Sequence, residues 1–555
     1  MLYIKQSLNN LYLPIQRFLA LPYISLSIWI LPLLLFGAGN NSLMAHDEGL
    51  YAVRARLMFD SGDWIHPWSS PHHKTPGFYW LIALTYKIFN ISEFSVRLPN
   101  MILGILSIFL LYEIGKIILN PKIAWLASAI LSVNFLWLQY CRLGTPDVPM
   151  IFLVLLAIFS FLKVDLSSDY KYSSLYCLIG GFCLGLGFLF RSLMIFLPII
   201  ALLPYLIWGN SRDRLINKPS LYLGFFIGLI PTLIWLCLNV IHYGSVSITQ
   251  LLDFVFRLGS KQRGTNGILF YFLSLPVTSF PWLFLAIIGL FIPISQPLNQ
   301  HQSSYKLICV VFPVILFVEL SLFSTRLPHY SLCLFPFLSL LAAVGLDTLS
   351  QIYTYTITKR RKLVFIPESI TYLHKLPQKL SYIFGIFGII FLIAGIVTFY
   401  FGQSKIHPYS ILAIVVGFGW LFLPTIWIGS YHFYLNFLTA NCWIASWLIP
   451  VWLGLAVAGG NGLLSDYNPD FRKFIQQPEI SQILNSYPIN FVNVGGKPGV
   501  LIDFYTKNIG KEVSSLTQLT PSSYAWIEKK QVLNSSVPHR IIGTVQKYSL
   551  VQVLK

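Results

Sequence analysis

Residues 46–76 read HDEGLYAVRARLMFDSGDWIHPWSSPHHKTP, the first long polar interval in a chain dominated by apolar runs. Carboxylates, imidazoles and cations crowd together here, just after the first hydrophobic segment. The chain has 555 residues, 55% hydrophobic and 10% charged, with a mean hydropathy of +0.68. An average soluble domain is about 25% charged, so this is the composition of an integral membrane protein. The polar interval is then a loop held at the membrane surface. The formal charge of +18 does not point to nucleic acid, because no basic block sits in a soluble unit of suitable size. Membrane topology and anionic lipid or phosphate ligands account for it. The seven cysteines lack metal-type spacing and fall mostly inside apolar runs, as small buried hydrophobes do.

Outward from this loop, apolar segments of roughly 17–25 residues mark membrane spans. They are expected near Tyr23–Phe36, Val96–Leu119, Ile123–Tyr140, Val148–Val164, Leu175–Phe190, Leu193–Trp208 and Leu221–Ile241. Further spans are expected near Leu273–Ile294, Leu307–Phe323, Tyr330–Leu346, Ile383–Phe401, Ile411–Ile428 and Leu435–Val457, which makes about 13. Lys5 and Arg17 precede the first run with no small-residue cleavage site after it, so a retained span is expected there. Gly77–Phe89 is too short to span and carries Lys87, so it reads as a helix lying in the interface. Asp47–Phe59 reads likewise, with Leu50, Val53, Leu57 and Met58 on one face.

Positive-inside bias supports this count. With a cytoplasmic N-terminus, the inner loops hold Lys116/Lys122, Lys163/Lys171, Arg212/Arg214/Lys218, Lys306 and the cluster Lys359-Arg360-Arg361-Lys362. Treating Gly77–Phe89 as a span would turn that cluster outward. The same assignment gathers Asp47, Glu48, Lys74, Arg142, Asp147, Arg191, Arg257, Lys261, Arg263, Arg326 and His329 on the outer side. After Val457 the composition becomes ordinary, so the chain divides into a membrane domain, 1–460, and a soluble α/β domain, 461–555, outside. In the latter, Phe471–Tyr487 has helical periodicity, NFVNVGG and SYAWIEK look like strands, and HRIIGTVQKYSLVQVLK reads as a hairpin.

Four groups can carry chemistry. Asp47-Glu48 opens an interfacial helix, where exposed N–H groups and the macrodipole stabilise negative charge. The pair is either a helix-capping feature or the acids of a site, acting as general base or orienting a hydroxyl. Lys74, in HHKTP, can meet a phosphate as a point charge or snorkel at the interface. Asp147, in RLGTPDVPM, is either a helix cap or a second acid. Arg191 interrupts a long apolar run, which demands a cavity-facing role or a short turn. With Arg257, Lys261, Arg263 and Arg326 it forms a set of outer cations suited to an anionic ligand at the membrane surface. His73, His329 and Tyr330 are candidate cavity residues. A divalent metal is left open, with His73 the candidate ligand.

These residues resemble a known family. The first loop, then HHKTPGFYWLIALTYKIF and SVRLPN, is similar to the start of the aminoarabinose transferases of lipid A modification. It is also similar to their relatives, the polyprenyl-phosphate-mannose protein mannosyltransferases. That pattern has an Asp-Glu pair after the first span, an SGDW turn, and Lys-Pro followed by Tyr-Trp. STRLPHYSLCLFPFLSLL and LGLGFLFRS match two later landmarks, and the soluble tail also fits. The resemblance implies the GT-C fold: an all-α multi-span bundle with interfacial helices in outer loops and a cavity facing the outer leaflet. It implies transfer of a sugar, with inversion, from a polyprenyl-phosphate carrier to a lipid A-like glycolipid, a glycan or a protein. It also implies location in the plasma (inner) membrane. Carried over, Asp47 takes the place of the required acid, Asp147 that of the second acid, Lys74 that of the donor-phosphate lysine, and Arg326 the basic position before Leu-Pro. The rival class is a transporter or flippase of lipid-linked glycans, against which stand the lack of a repeated half and the one-sided polar groups.

Overall fold

The computed structural model describes residues 21–209, 214–260, 266–291, 302–362, 374–533 and 535–554. A first apolar helix, α1 (Pro22–Leu35), leads into the polar loop. Two short helices follow, α2 (Asp47–Ser61) and α3 (Gly77–Phe89), and then the bundle begins. Its first half comprises α4 (Glu93–Ile118), α5 (Pro121–Ser132), α6 (Phe135–Cys141), α7 (Asp147–Leu166), α8 (Tyr170–Arg191), α9 (Phe196–Trp208), α10 (Pro219–Tyr243) and α11 (Val246–Ser260). The second half comprises α12 (Phe270–Thr278), α13 (Trp282–Phe291), α14 (Phe312–Leu322), α15 (Phe335–Lys362), α16 (Leu376–Phe401), α17 (His407–Trp420), α18 (Phe422–Tyr431) and α19 (Ala440–Gly460).

This is a multi-pass membrane protein. Among the described residues, nine helical stretches are long and apolar enough to cross a membrane, or eleven if two bent pairs each count as one. The bent pairs are α5 with α6, at 69°, and α12 with α13, at 108°. The expected count of about 13 spans is therefore not reached, for two reasons. Helix α1 has 14 residues, about 21 Å at 1.5 Å per residue, short of the ~30 Å apolar core. The segments expected at Leu175–Phe190 and Leu193–Trp208 run together as one stretch, Tyr170–Trp208, of 39 residues. Its regular helical backbone is interrupted at Ser192, where φ is 53°. The other expected segments each coincide with a helix or a bent pair. The sequence predicted α2 and α3 as short helices, and both form as such.

The face that α2 buries differs from the expected one. Tyr51, Ala52, Ala55, Met58, Glu48 and Arg56 are buried, whereas Leu57 is exposed. Periodicity assumes that charges face water, but here both charged side chains find buried partners across the fold.

After α19 come α20 (Pro469–Ile475), α21 (Pro478–Ser486), β1 (Ile489–Val492), α22 (Gly496–Tyr505), β2 (Ile509–Val513), β3 (Tyr524–Glu528), β4 (His539–Val545) and β5 (Tyr548–Val553). The sheet order is β2-β1-β3-β5-β4. Strands β2, β1 and β3 run parallel, and β5 joins β3 and β4 antiparallel. The strand and hairpin signals were thus legible; α22 and β2 were not. The helical run at Phe471–Tyr487 is cut in two because Pro478 starts a new helix, a position where its missing N–H costs nothing.

One hydrophobic core unites this domain with the interfacial helices. Tyr51, Met58, Phe78 and Ile82 share a cluster with Phe471, Leu501, Phe504 and Trp526. Arg56, on α2, completes the junction. Its guanidinium donates to the carbonyls of Asp503 (3.1 Å), Phe504 (2.8 Å), Thr506 (2.8 Å) and Lys507 (2.8 Å). Those carbonyls belong to the last turn of α22 and the residues just after it, where a cation is most favourable. Arg472, on α20, lies 3.5 Å from Glu93 of α4, which also accepts a hydrogen bond from Tyr505 at 3.0 Å.

Candidate active site

A cavity of about 500 Å³ opens where α2, the loop 62–76, α7, α8 and the segment before α15 meet. Its wall includes His46, Asp47, His73, Lys74, Asp147, Arg191, His329 and Tyr330. Seven of the twelve residues that the sequence singled out therefore come together from five separate parts of the chain.

Each arrives for a local reason. Asp47 is the first residue of α2, in the first turn, where free N–H groups favour a carboxylate. Asp147 begins α7 in the same manner, just after Pro146. Arg191 is the last residue of α8, and the break at Ser192 ends the helix there. Lys74 sits one turn before α3. At Gly77 a Cβ would lie 2.7 Å from the carbonyl oxygen of Leu189, so only glycine lets α3 start against the end of α8. That close approach brings the Lys74 loop up to Arg191. Within the loop, Asp63 accepts hydrogen bonds from the backbone N–H of Ile65 and of His66, both at 2.8 Å. These bonds, led by that from His66, hold its carboxyl below the usual range. His72 is buried beneath Trp68, with ring centroids 5.2 Å apart, and its Nδ1 accepts from the Lys74 N–H at 3.1 Å. Burial, and then the charge of Arg54, push the His72 imidazole down to about 2, so the ring stays neutral.

The cavity pairs its charges and backs its cations with phenol rings. Arg191 Nη2 lies 2.8 Å from Asp147 Oδ1, and the guanidinium stands 5.8 Å from the centroid of Tyr330. Lys74 Nζ stands 4.5 Å from the centroid of Tyr51. His329 stacks on Tyr140 at 5.3 Å. Asp47 has no ion pair among the described residues. Two cations held by aromatic faces and one acid make a site that can neutralise an anion beside a carboxylate acceptor of protons. A second, mostly apolar pocket of about 20 Å³, room for a single water, is lined by Asp147, Arg191, His329 and Tyr330 together with Ile151, Leu197, Leu316 and Leu332.

Several expectations need correction. Glu48 is not a cavity residue. Fully buried, it receives Arg97 Nε at 2.8 Å and Nη2 at 3.0 Å, the Met44 N–H at 2.9 Å and the Gly144 N–H at 3.0 Å. Its acid balances Arg97, a buried cation that also donates to the carbonyls of Ala38, Asn41, Ser42 and Ser465. Arg326 is likewise turned inward. It donates to the carbonyls of Ser321 (3.0 Å) and Asn266 (2.9 Å) and fixes a loop instead of meeting ligand. Arg142, too, donates to the carbonyls of Leu33 and Leu34. Lys261 and Arg263 lie outside the described residues, as does the side chain of Arg257 in α11. His73 lines the cavity, but among the described residues no group of three or more potential ligands could hold a metal ion. Nothing in the sequence singled out Tyr51, Tyr140 or Gln250, which also line the cavity. Aromatic residues at helical spacing look like ordinary core.

The comparisons bear on the same elements. The profile of the dolichyl-phosphate-mannose-protein mannosyltransferase family matches residues 73–236. An undecaprenyl phosphate-alpha-4-amino-4-deoxy-L-arabinose arabinosyl transferase of Pseudomonas fluorescens is 26% identical over 353 residues, covering 59% of this chain and 58% of that protein. One of Shewanella sediminis is 27% identical over 313 residues, covering 53% and 54%. The chain spans about six tenths of the length of the curated relatives it matches. The crystal structure of ArnT from Cupriavidus metallidurans bound to undecaprenyl phosphate superposes with a TM-score of 0.72, at 18% identity, over 97% of both chains. The fold is therefore the GT-C fold, with a small sheet domain after the bundle. The resemblance to the aminoarabinose transferases and their mannosyltransferase relatives stands.

Proposed function

We propose that this chain, with the fold of the aminoarabinose transferases, is a membrane glycosyltransferase using a polyprenyl-phosphate-linked monosaccharide. It moves the sugar, with inversion, to an extracytoplasmic acceptor: a lipid A-like glycolipid, a glycan or a protein. One observation carries the reading. A single cavity of about 500 Å³ holds Asp47, Lys74 and the Asp147–Arg191 ion pair. That combination suits an anionic headgroup beside a carboxylate. The relatives reported above are transferases, and none is a transporter. The orientation follows the positive-inside bias, with cavity and sheet domain outside the plasma (inner) membrane.

In this mechanism the acceptor oxygen attacks the anomeric carbon from the face opposite the phosphate. The bond between that carbon and the phosphate oxygen breaks, and polyprenyl phosphate leaves with the electron pair. Lys74 and Arg191 neutralise the charge that grows on the leaving phosphate. Asp147 is a positioning residue, because its ion pair fixes the direction of Arg191. For a hydroxyl acceptor, Asp47 takes the proton; for a phosphate acceptor it orients the nucleophile. No nucleotide is needed, since the phosphodiester link supplies the driving force.

The test uses purified protein in lipid with aminoarabinose, mannose and arabinose donors and an outer-envelope lipid acceptor, following release of polyprenyl phosphate. Wild type should release it from one donor, and Asp47→Asn should lose at least about 100-fold in turnover with unchanged folding. Release at the wild-type rate in Asp47→Asn would sink the assignment.

A further inference from the structure

The sheet domain carries a second cleft, of about 390 Å³, that shares no lining residue with the Asp47 cavity. Its wall is an aromatic pair: the rings of Tyr487 and Tyr524 lie 5.0 Å apart at 47°. Its floor is the buried side chain of Asn490, which ties three strands together. Asn490 Nδ2 donates to the Tyr524 carbonyl at 3.1 Å, and Oδ1 accepts from the Lys511 N–H at 2.9 Å. Gly510 keeps that floor open, because a Cβ there would lie 2.6 Å from Asn490 Oδ1. Lys511, Gln518 and Thr520 form the rim. Among the described residues neither phenol hydroxyl nor the Lys511 ammonium has a hydrogen-bond or ion-pair partner.

The chemistry of this lining selects its occupant. Exposed tyrosine rings present an apolar face with a polar tip, which suits the C–H face and hydroxyl edge of a pyranose. The hydroxyl and amide groups around the rim disfavour a lipid tail, which would strand them. Lys511 adds a compact positive charge without a competing carboxylate, which suits phosphate or carboxylate.

We propose that this cleft binds an acidic saccharide, a sugar bearing phosphate or carboxylate, and docks the glycan part of the acceptor. The second clause rests on the transferase reading above; the first does not. The junction of the domain supports a shared substrate. Arg56 of α2 holds the carbonyl of Lys507, four residues before Lys511, and α2 begins at Asp47. From Asp47 to Arg56 the helix rises about 14 Å, and Lys507 to Lys511 spans at most about 14 Å. The Arg56 bonds and the shared core thus hold the cleft at a fixed offset from Asp47.

The test measures saturation-transfer NMR and titration binding on full-length protein in lipid nanodiscs. The probes are maltose, glucose 6-phosphate, glucuronic acid and an extended peptide. Wild type should bind the two acidic sugars, and the stronger one identifies the anionic group. Tyr487→Ala and Lys511→Gln should each weaken that binding about tenfold, roughly 1.4 kcal/mol, while Asp47→Asn leaves it unchanged. No sugar binding at millimolar concentration overturns the proposal. So does equal binding in wild type and Tyr487→Ala, loss of binding in Asp47→Asn, or preference for the peptide, which would mean pairing along the free edge of β2. Intact sugar binding with no transfer from any donor would count against the transferase reading and leave the cleft's ligand standing.

Discussion

Adjacent carboxylates at 47 and 48 should respond to the same substitution in opposite ways. Glu48→Gln keeps the side-chain shape but removes a charge from a pair whose two side chains are both fully buried. Breaking such a pair costs about 3–5 kcal/mol, because the remaining ion is left in a poorly solvated interior. Two local features adjust that figure. Four backbone carbonyls still accept from Arg97 and solvate part of its charge. Against this, both oxygens of Glu48 receive backbone N–H donors, from Met44 and from Gly144. The NH₂ of a glutamine must therefore face one donor with another. The two effects oppose, and a loss of about 4 kcal/mol is expected, within the cited range. The assay is thermal unfolding in detergent at neutral pH, with Asp47→Asn as the neighbouring control. Glu48→Gln should unfold at a clearly lower temperature, and any lost turnover should follow the lost fold. Asp47→Asn should unfold as wild type does and yet be inactive. A Glu48→Gln protein of wild-type stability with abolished turnover would refute the structural role and return Glu48 to the chemistry.

Three other perturbations separate anchoring from catalysis. Asp147→Asn removes the charge that aims Arg191, so binding of polyprenyl phosphate should weaken about tenfold, with recovery in Asp147→Glu. Equal weakening in both variants would argue against a positioning role. Arg56→Met leaves the carbonyls at the end of α22 without their donor, at about 1.5–3 kcal/mol for each charge-assisted bond and less than additively. Limited proteolysis should then release the sheet domain faster, and an unchanged digestion rate would show that the apolar core alone holds it. His72 stays neutral when folded but titrates at its ordinary value near 6.5 when unfolded. Its contribution is present above pH 6.5 and lost as pH falls below it, by up to about 1.4 kcal/mol per pH unit. Unfolding midpoints between pH 7 and 4 should decline more steeply in wild type than in His72→Asn; parallel declines would remove His72 from the acid response.

Composition and spacing alone determined that the chain spans a membrane repeatedly and that the polar loop at 46–76 gathers acids and cations, which the fold brings to one cavity. They also identified α2 and α3 as short helices and the tail as α/β. These follow from one-dimensional signals: the length of an apolar run, the interruption of a run by Arg191, and the short strand-prone run at 524–528. The acids at Asp47 and Asp147 and the cations at Lys74 and Arg191 were legible because an ion at a membrane boundary is costly without a purpose. Only tertiary structure decided which polar residues face the cavity. Glu48 and Arg326 look, in sequence, as exposed as Asp47 and Arg191, yet their charges are turned to Arg97 and to carbonyls far along the chain. The apolar runs also hid where spans bend, between α5 and α6 and between α12 and α13. A buried charge is stabilised by partners that no spacing rule connects to it. Which ion is an anchor and which is a tool therefore appears only once the chain has folded.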